Sequence, residues 1–354
     1  MNILINGVGG PTPRSIARTL RNYSDYKDLT IIGTDINPLA YGLYENELYN
    51  QTYLVPPAKH KDYWSSIEKI IKDHKIDLAL VHPEHEVMEW SKRQTKSNDL
   101  PCKAFLPDYK LCEVLVDKSK MSDLLQETDL VPDSYVFDAS IQDFKALEST
   151  LQYPFWIRAT EGSSGLGSLK VHSQAELKNW LNINPNVKTF IASTFLSGRN
   201  LGVKLLYNEG HLIRAASAER VNYIMAKVAP SGITGNTSYG RLLNEPELVK
   251  KADEALQLLF EKLNVKKHGF FTADFKEDAS GEAFITEINV RMVAFNLSFA
   301  AGGANFTKDI VDLLVNPQSV SQNYMMYEFE PDLIFLRDVD AVPKLMKESD
   351  LLKP

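Results

Sequence analysis

The sequence predicts an α/β protein in which a parallel sheet comes first and an antiparallel, α+β part follows. Between Met1 and Leu106, apolar strands alternate with amphipathic helices, an order typical of parallel sheets. Near the other end of the chain, a short polar turn joins two apolar strands, as in a β-hairpin. The length of 354 residues, with 44% apolar and 24% charged side chains, suits a globular protein of two or three units.

The parallel sheet is predicted from the strands and helices of residues 1–106. Thr12 follows the first glycine-rich turn and is expected to cap the first helix. Strands separated by single helices form parallel pairs with right-handed crossovers. The expected strands are Asn2–Asn6, Leu29–Thr34 and Ile76–His82, and the expected helices are Ser15–Asn22 and Tyr63–His74.

The rest of the chain divides into further blocks. A glycine-rich stretch, Glu161–Ser168, lies between the predicted strands Phe155–Ala159 and Leu169–His172, which excludes a P-loop because that motif joins a strand to a helix. A long amphipathic helix is expected at Pro246–Leu263. The predicted domains are residues 1–106, 117–187 and 188–330, with a linker at 107–116 and a C-terminal tail at 331–354.

The hairpin carries a pair of carboxylates. Its predicted strands are Gly269–Lys276 and Ala283–Arg291. A turn centred between Ser280 and Gly281 places Asp274 opposite Glu287, and alternation puts Asn289 on the same face as Glu287. Opposed carboxylates repel, and a hydrated Mg²⁺ bound by their oxygens and the amide would offset this repulsion. On these residues alone, an exposed polar face of the sheet remains an equal alternative.

The order of motifs resembles the ATP-grasp superfamily. Asp274 followed by Glu287-Ile288-Asn289-Val290-Arg291 is similar to the family's terminal metal motif. The resemblance covers nearly the whole chain and is nearest to the carbamoyl-phosphate-synthetase-like and amino-acid-ligase branches. The other matching segments are Asp117-Lys118, the strand ending in Arg158, the loop Glu161–Ser168 and the hinge Ala192–Gly198.

This resemblance implies an ATP-grasp fold preceded by a Rossmann-like domain, with ATP and Mg²⁺ as cofactors and Mn²⁺ as an alternative metal. Arg291 would hold a substrate carboxylate or the departing phosphate. The implied metal ligands are Asp274, Glu287 and Asn289. The implied phosphate contacts are Lys118, Arg158, Ser163, Ser164, Gly165 and Gly167, and the implied adenine contacts are Thr194, Phe195 and Leu196.

Two positions depart from the family pattern. Thr194 stands where many members have a glutamate that binds the ribose, and Lys204 stands at another usually acidic position. Ribose binding is therefore left open.

The implied activity is an ADP-forming ligase, in which a carboxylate takes the γ-phosphate of ATP and an amine then captures the acyl phosphate. The alternatives are a catalytically weak ATP-binding regulator or scaffold and a dinucleotide-dependent oxidoreductase. The latter depends on Gly7-Val8-Gly9-Gly10 and Asp35, whose spacing is not that of a dinucleotide fingerprint. The sequence does not specify which carboxylate and amine are joined.

Other polar segments allow more than one interpretation. His82-Pro83-Glu84-His85-Glu86 is interpreted as a loop after a strand, with Glu84 or Glu86 a candidate for substrate contact, in preference to a transition-metal site. For Arg214, Glu219 and Arg220, an ion-pair or surface role is as well supported as substrate contact.

Charge and composition bound the partners and location. The net charge of −7 disfavours nucleic acid, and no apolar run is long enough to span a membrane. The chain has only two cysteines, Cys102 and Cys112, and its first residues do not resemble a signal peptide. Both observations favour a cytoplasmic protein with reduced thiols. The expected partners are small-molecule carboxylates and amines, and a homodimer is an open alternative because dimers are frequent in the superfamily.

Overall fold

The computed structural model of the chain describes residues 1–141, 143–162, 165, 167–293, 295–339, 344–347 and 349. The helices in this part are α1 Pro11–Asn22, α2 Tyr63–His74, α3 Glu84–Ser97, α4 Tyr109–Leu115, α5 Lys118–Leu125, α6 Lys145–Thr150, α7 Gln174–Ile183, α8 Pro246–Leu263, α9 Asn296–Ala301 and α10 Phe306–Val315, with short 3₁₀ turns at Tyr41–Tyr44, Ala226–Val228 and Pro317–Ser319. The strands are β1 Asn2–Asn6, β2 Thr30–Asp35, β3 Gln51–Leu54, β4 Leu78–Leu80, β5 Lys103–Ala104, β6 Ser134–Asp138, β7 Phe155–Ala159, β8 Leu169–Val171, β9 Thr189–Thr194, β10 Asn200–Asn208, β11 His211–Tyr223, β12 Thr237–Leu243, β13 Gly269–Glu277, β14 Ala283–Asn289, β15 Met325–Met326, β16 Leu333–Leu336 and β17 Lys344–Lys347.

The first sheet is parallel throughout, in the order β3-β2-β1-β4-β5. The prediction of an α/β start is confirmed. The predicted cap of α1 is wrong: Gly10 occupies the N-cap position, Pro11 opens the helix and Thr12 is buried inside its first turn. Proline suits that position because the first N–H groups of a helix have no partner within the helix.

The segment predicted as a linker forms a helix. α4 begins after Asp108, whose side chain accepts a hydrogen bond from the Lys110 amide, and its residues Leu111, Cys112 and Leu115 are buried. Cys112 and Cys102 are both free thiols, and burial raises the pKa of each to about 12.

The second sheet is smaller and antiparallel, in the order β6-β9-β7-β8. It packs against α6 and α7 around a core of its own, which includes Phe137, Phe155, Phe190 and Leu177. This core is a separate cluster from the two that fill the rest of the described molecule.

The third sheet is the largest, in the order β14-β13-β10-β11-β12-β16-β17, with β15 beside β11. Residues 333–336 and 344–347, which fall in the segment predicted as a tail, are strands of this sheet. Both of its faces share hydrophobic cores with the parallel sheet: Leu4 is in one cluster with Leu205, and Ile5 is in the other with Leu206. The first and third sheets therefore form one continuous body.

None of the helices in the described part of the chain combines the length and the apolar character needed to cross a bilayer.

Candidate active site

A cavity of about 1030 Å³ lies where the three sheets meet. Its walls are the loops after β1, β2 and β4 of the parallel sheet, the glycine-rich loop and hinge around the small sheet, and one face of β10, β11, β13 and β14. Small-molecule sites have volumes of about 300–1,000 Å³. The volume is thus at the upper end of that range, with room for more than one ligand.

The metal-binding candidates lie together at the end of the cavity made by β13 and β14. Asp274 is directly opposite Glu287, as predicted, and the ladder shifts register immediately after Asp274. Asn289 and Arg291 line the cavity with them, while Ile288 is fully buried on the other face. Two carboxylates and an amide therefore line the same part of the cavity, and their oxygens are donors that suit Mg²⁺.

Burial gives this end of the cavity unusual electrostatics. Burial raises the pKa of Asp274 to about 6; the guanidinium of Arg220 opposes this rise, and Glu287 adds to it. Arg220 Nη2 lies 2.5 Å from Asp274 Oδ1.

No group of three or more His, Cys, Asp or Glu side chains gathers at one point among the described residues.

Two positively charged side chains, Lys118 and Arg158, approach the Asp274–Glu287 pair from the side of the small sheet. Lys118 opens α5, with Asp117 as its N-cap, and its Nζ lies 3.7 Å from Glu287 Oε1. The same Nζ donates a 2.8 Å hydrogen bond to the carbonyl of Gly162. Arg158, from β7, donates to the carbonyl of Thr286 in β14, and burial lowers its pKa. These contacts join the small sheet to the large one across the site.

The glycine-rich loop passes over the same region. Gly165 and Gly167 have φ of +76° and +64°, a conformation that side-chain-bearing residues rarely adopt. Gly165 lines the cavity and lies so close to the loop after β11 that a Cβ would be 2.8 Å from the carbonyl oxygen of Ile233. Gly167 does not line the cavity, and the predicted phosphate contacts Ser163 and Ser164 lie outside the described residues.

The hinge borders the opposite end of the cavity. Thr194, Phe195 and Leu196 all line it, and the ammonium of Lys170 lies 3.9 Å from the Phe195 ring centroid. Lys276 reaches this end as well, where its Nζ donates a 2.6 Å hydrogen bond to the Gly198 carbonyl.

Lys204 is not in the cavity. Its side chain is 1% exposed, points into a cage of phenylalanines and donates a 2.8 Å hydrogen bond to Asn296 Oδ1. The ring centroid of Phe299 lies 4.6 Å from its Nζ, and burial lowers its pKa. The departure from the family pattern at this position is therefore a core feature of the third sheet.

Arg220, for which the sequence allows an ion-pair or surface role as well as substrate contact, forms an ion pair with Asp274 and also lines the cavity. It lies on β11, two strands away from Asp274, and Gly202 of β10 lies between them. Both side chains pass close to Gly202: a Cβ there would be in ordinary van der Waals contact, 3.7 Å from Asp274 Oδ1 and 3.8 Å from Arg220 Nε.

Many solved structures share this fold, and three of them serve as examples. An L-amino acid ligase from Bacillus licheniformis is 14% identical, with a TM-score of 0.63 over 94% of this chain and 78% of that one. An N5-carboxyaminoimidazole synthetase from Staphylococcus aureus, solved with ADP, is 12% identical, with a TM-score of 0.67 over 95% and 81%. The biotin carboxylase domain of a 2-oxoglutarate carboxylase from Hydrogenobacter thermophilus, solved with MgADP and bicarbonate, is 14% identical, with a TM-score of 0.66 over 95% and 74%.

The sequence itself matches no protein-family model and no curated protein. At these identities the likeness concerns the fold. The chain has the fold of ATP-grasp ligases, with a parallel-sheet domain in front, as the sequence predicted.

Proposed function

We propose that the protein is an ADP-forming ligase that uses Mg-ATP to phosphorylate a carboxylate, which an amine then captures. The observation that carries the proposal is the register of the hairpin, which sets Asp274 opposite Glu287 in a cavity also lined by Lys118, Arg158 and Arg291. Phosphoryl transfer requires positioning and charge neutralisation, and this group of residues supplies both.

The donor set fits a magnesium ion. Asp274, Glu287 and Asn289 would hold it, since all three line the cavity and each offers a carboxylate or amide oxygen of the kind that Mg²⁺ prefers. When bound, the ion would neutralise charge on the nucleotide phosphates. Mn²⁺, which accepts similar oxygen ligands, is the alternative.

The cationic side chains of this chain would act on the phosphates and on the substrate. Lys118 and Arg158 would bind phosphate oxygens, replacing their present contacts with Gly162 and Thr286. Arg291 would orient the substrate carboxylate, since guanidinium binds such oxygens in a fixed fork. The backbone of the glycine-rich loop would cover the phosphates and exclude water.

The adenine would lie against the hinge, near Thr194, Phe195 and Leu196. Phe195 offers an aromatic face, and the polar side chains of Thr194 and Lys276 are among those that line the cavity near the place of the usual ribose-binding glutamate. Small-molecule carboxylates and amines are the partners proposed, while a homodimer and a cytoplasmic location stay predictions from the sequence.

The test is a screen for ADP and phosphate release with pairs of carboxylates and amines in the presence of Mg-ATP. Glu287→Ala is expected to lose at least about 100-fold in turnover while keeping its fold, since charge stabilisation of this kind contributes factors of about 10²–10³. The matched control is Glu282→Ala, in the exposed turn of the same hairpin and outside the cavity.

Two results would contradict the proposal. Unchanged turnover of Glu287→Ala would remove the metal assignment. ATP binding without ADP release for every pair would instead favour the catalytically weak ATP-binding regulator.

A further inference from the structure

The cavity wall formed by the parallel sheet contains a buried carboxylate that the proposed reaction does not use. Glu86 lies in the first turn of α3, is 4% exposed and lines the cavity. Its Oε2 accepts hydrogen bonds from the Tyr63 hydroxyl and, at 2.5 Å, from Asn6 Nδ2. Trp90 in turn donates to the Tyr63 oxygen at 2.8 Å. These contacts fix the carboxylate in one position, and the two bonds that reach Glu86 both use its Oε2.

The surroundings of Glu86 contain acceptors in excess of donors. The charged side chain that acts on it most is Asp35, another carboxylate, whose oxygens are bound to the Gly9 and Asn37 amides. Asn6 Oδ1 is buried and has no hydrogen-bond partner among the described residues. Burial raises the pKa of Glu86 to about 7; the hydrogen bonds from Tyr63 and Asn6 oppose that rise, and Asp35 adds to it. A positively charged N–H donor in the cavity would satisfy this site.

The same wall is joined directly to the strand end that carries Arg291. His82 lies just before α3, four residues before Glu86, and its Nε2 is 2.7 Å from the carbonyl oxygen of Met292. Arg291 and Glu86 both line the cavity. A small molecule with one negative and one positive end thus meets a guanidinium on one wall and a carboxylate on the neighbouring wall.

We propose that Glu86 binds the protonated amine of the substrate whose carboxylate lies at Arg291, which makes that substrate an amino acid. The inference rests on the proposed function, because Arg291 is assigned to the substrate carboxylate there. The bond to Tyr63 and the bond to Asn6 act as supports that hold the Glu86 carboxylate towards the cavity.

The test measures binding, so it does not depend on turnover. Calorimetric titrations of the full chain with Mg-ADP present would compare the twenty common amino acids, β-alanine and 4-aminobutyrate with the same acids in which hydroxyl or hydrogen replaces the amine. At least one amino acid is expected to bind about 10-fold or more tightly than its amine-free counterpart, since a charge-assisted hydrogen bond is the difference between them. Equal affinity in every pair, or no binding of any amino acid, would overturn the inference.

A variant pair assigns the preference to this residue. Glu86→Gln keeps the size of the side chain and removes its charge, and it is expected to abolish the preference for the amine. Glu84→Gln, in the same helical turn but not in the cavity wall, is expected to retain it. A preference that survives in Glu86→Gln would contradict the assignment, and the comparison of ligands on the unaltered protein stands even where the variant fails to fold.

The two proposals fail separately. If amino acids bind with the expected preference but no carboxylate yields ADP, the ligase proposal fails and the binding site remains. If simple carboxylates yield ADP as readily as amino acids, and bind as tightly, the ligase proposal holds and the role of Glu86 is wrong.

Discussion

At the scale of single residues, Arg220 offsets the negative charge of the buried Asp274 carboxylate. The two side chains are 9% and 19% exposed and lie 2.5 Å apart, next to Glu287. Removing one partner of a buried ion pair leaves the other uncompensated, which costs about 3–5 kcal/mol. The pair is therefore a stability element as well as part of the cavity wall.

We predict that Arg220→Met lowers the free energy of unfolding by roughly 3 kcal/mol, because Asp274 is then left buried without its guanidinium. Adding Asp274→Asn to that variant is expected to recover part of the loss, since the uncompensated charge disappears. Urea denaturation of both single variants and the double variant measures the coupling. Simple additivity of the two losses would count against the pairing.

His82 gives a prediction about pH. Burial lowers its pKa to about 3 from 6.5, Arg291 adds to the lowering, and the hydrogen bond to Met292 opposes it. The unfolded chain takes up a proton below about pH 6.5 whereas the folded one does not, so stability is lost as the pH falls below that value.

Between pH 7.5 and pH 5, the unaltered protein is expected to lose about 2 kcal/mol more stability than His82→Gln, which cannot titrate. Glutamine retains an N–H donor for the Met292 carbonyl. Urea midpoints at the two pH values test this, and identical losses in both proteins would show that His82 is accessible to protons in the folded state.

The sequence predicts those site residues that share one strand or follow a short motif, such as Glu287 and Asn289, because side chains alternate in a fixed way along a strand. Arg220 depends on the register of β11, β10 and β13 together, and that register comes from packing of the whole sheet. The network at Glu86 likewise depends on Asn6 and Tyr63, which are far apart in the chain. A sequence pattern contains no signal for such contacts.

At the scale of elements, a regular hydrophobic pattern predicts the ends of long helices and strands well. It does not predict short elements, which contain too few residues to show a pattern. β1, α2, β7 and α8 have the predicted bounds. α4 was interpreted as a linker because its seven residues, flanked by Pro107, are too few to show a helical period.

At the scale of elements, the packing of β16 against β12 can be tested at Gly240. Gly240 of β12 pairs with Arg220 of β11 on one side and with Phe335 of β16 on the other. A Cβ at Gly240 would lie 2.4 Å from the Phe335 ring and 2.5 Å from the Glu219 carbonyl oxygen. Both neighbours would have to move.

We expect Gly240→Ala to lower the stability by about 2 kcal/mol, in the range of overpacked cores. The control is Gly10→Ala, where the nearest atom to a Cβ is 3.4 Å away. Thermal melting of both variants measures the difference. Equal melting temperatures would indicate that β16 does not lie against Gly240.

At the scale of the whole molecule, the small sheet has a hydrophobic core of its own, and we expect it to open separately from the rest. Phe137, Phe155 and Phe190 pack with one another and their neighbours, apart from the clusters that join the first and third sheets. Local opening follows such boundaries because few buried contacts have to break.

Amide hydrogen exchange should therefore be faster in β7 and β9 than in β10 and β13. Saturating Mg-ADP, at about 100-fold excess over its Kd, is expected to slow the exchange of β7 and β9 by up to about 100-fold and to change α10 far less. Uniform slowing across all these elements would show that the small sheet does not open by itself.

The independent core of residues 134–194 also makes that stretch exchangeable. It contributes the glycine-rich loop and the start of the hinge to the cavity, while Glu86 and Arg291 belong to the other body. A chimaera that replaces residues 134–198, which include the whole hinge, with the corresponding stretch of a structural neighbour is expected to take the nucleotide preference of the donor and to keep the acid selectivity proposed for the recipient. The nucleotide-binding part and the acid-binding part proposed above could therefore diverge independently of each other.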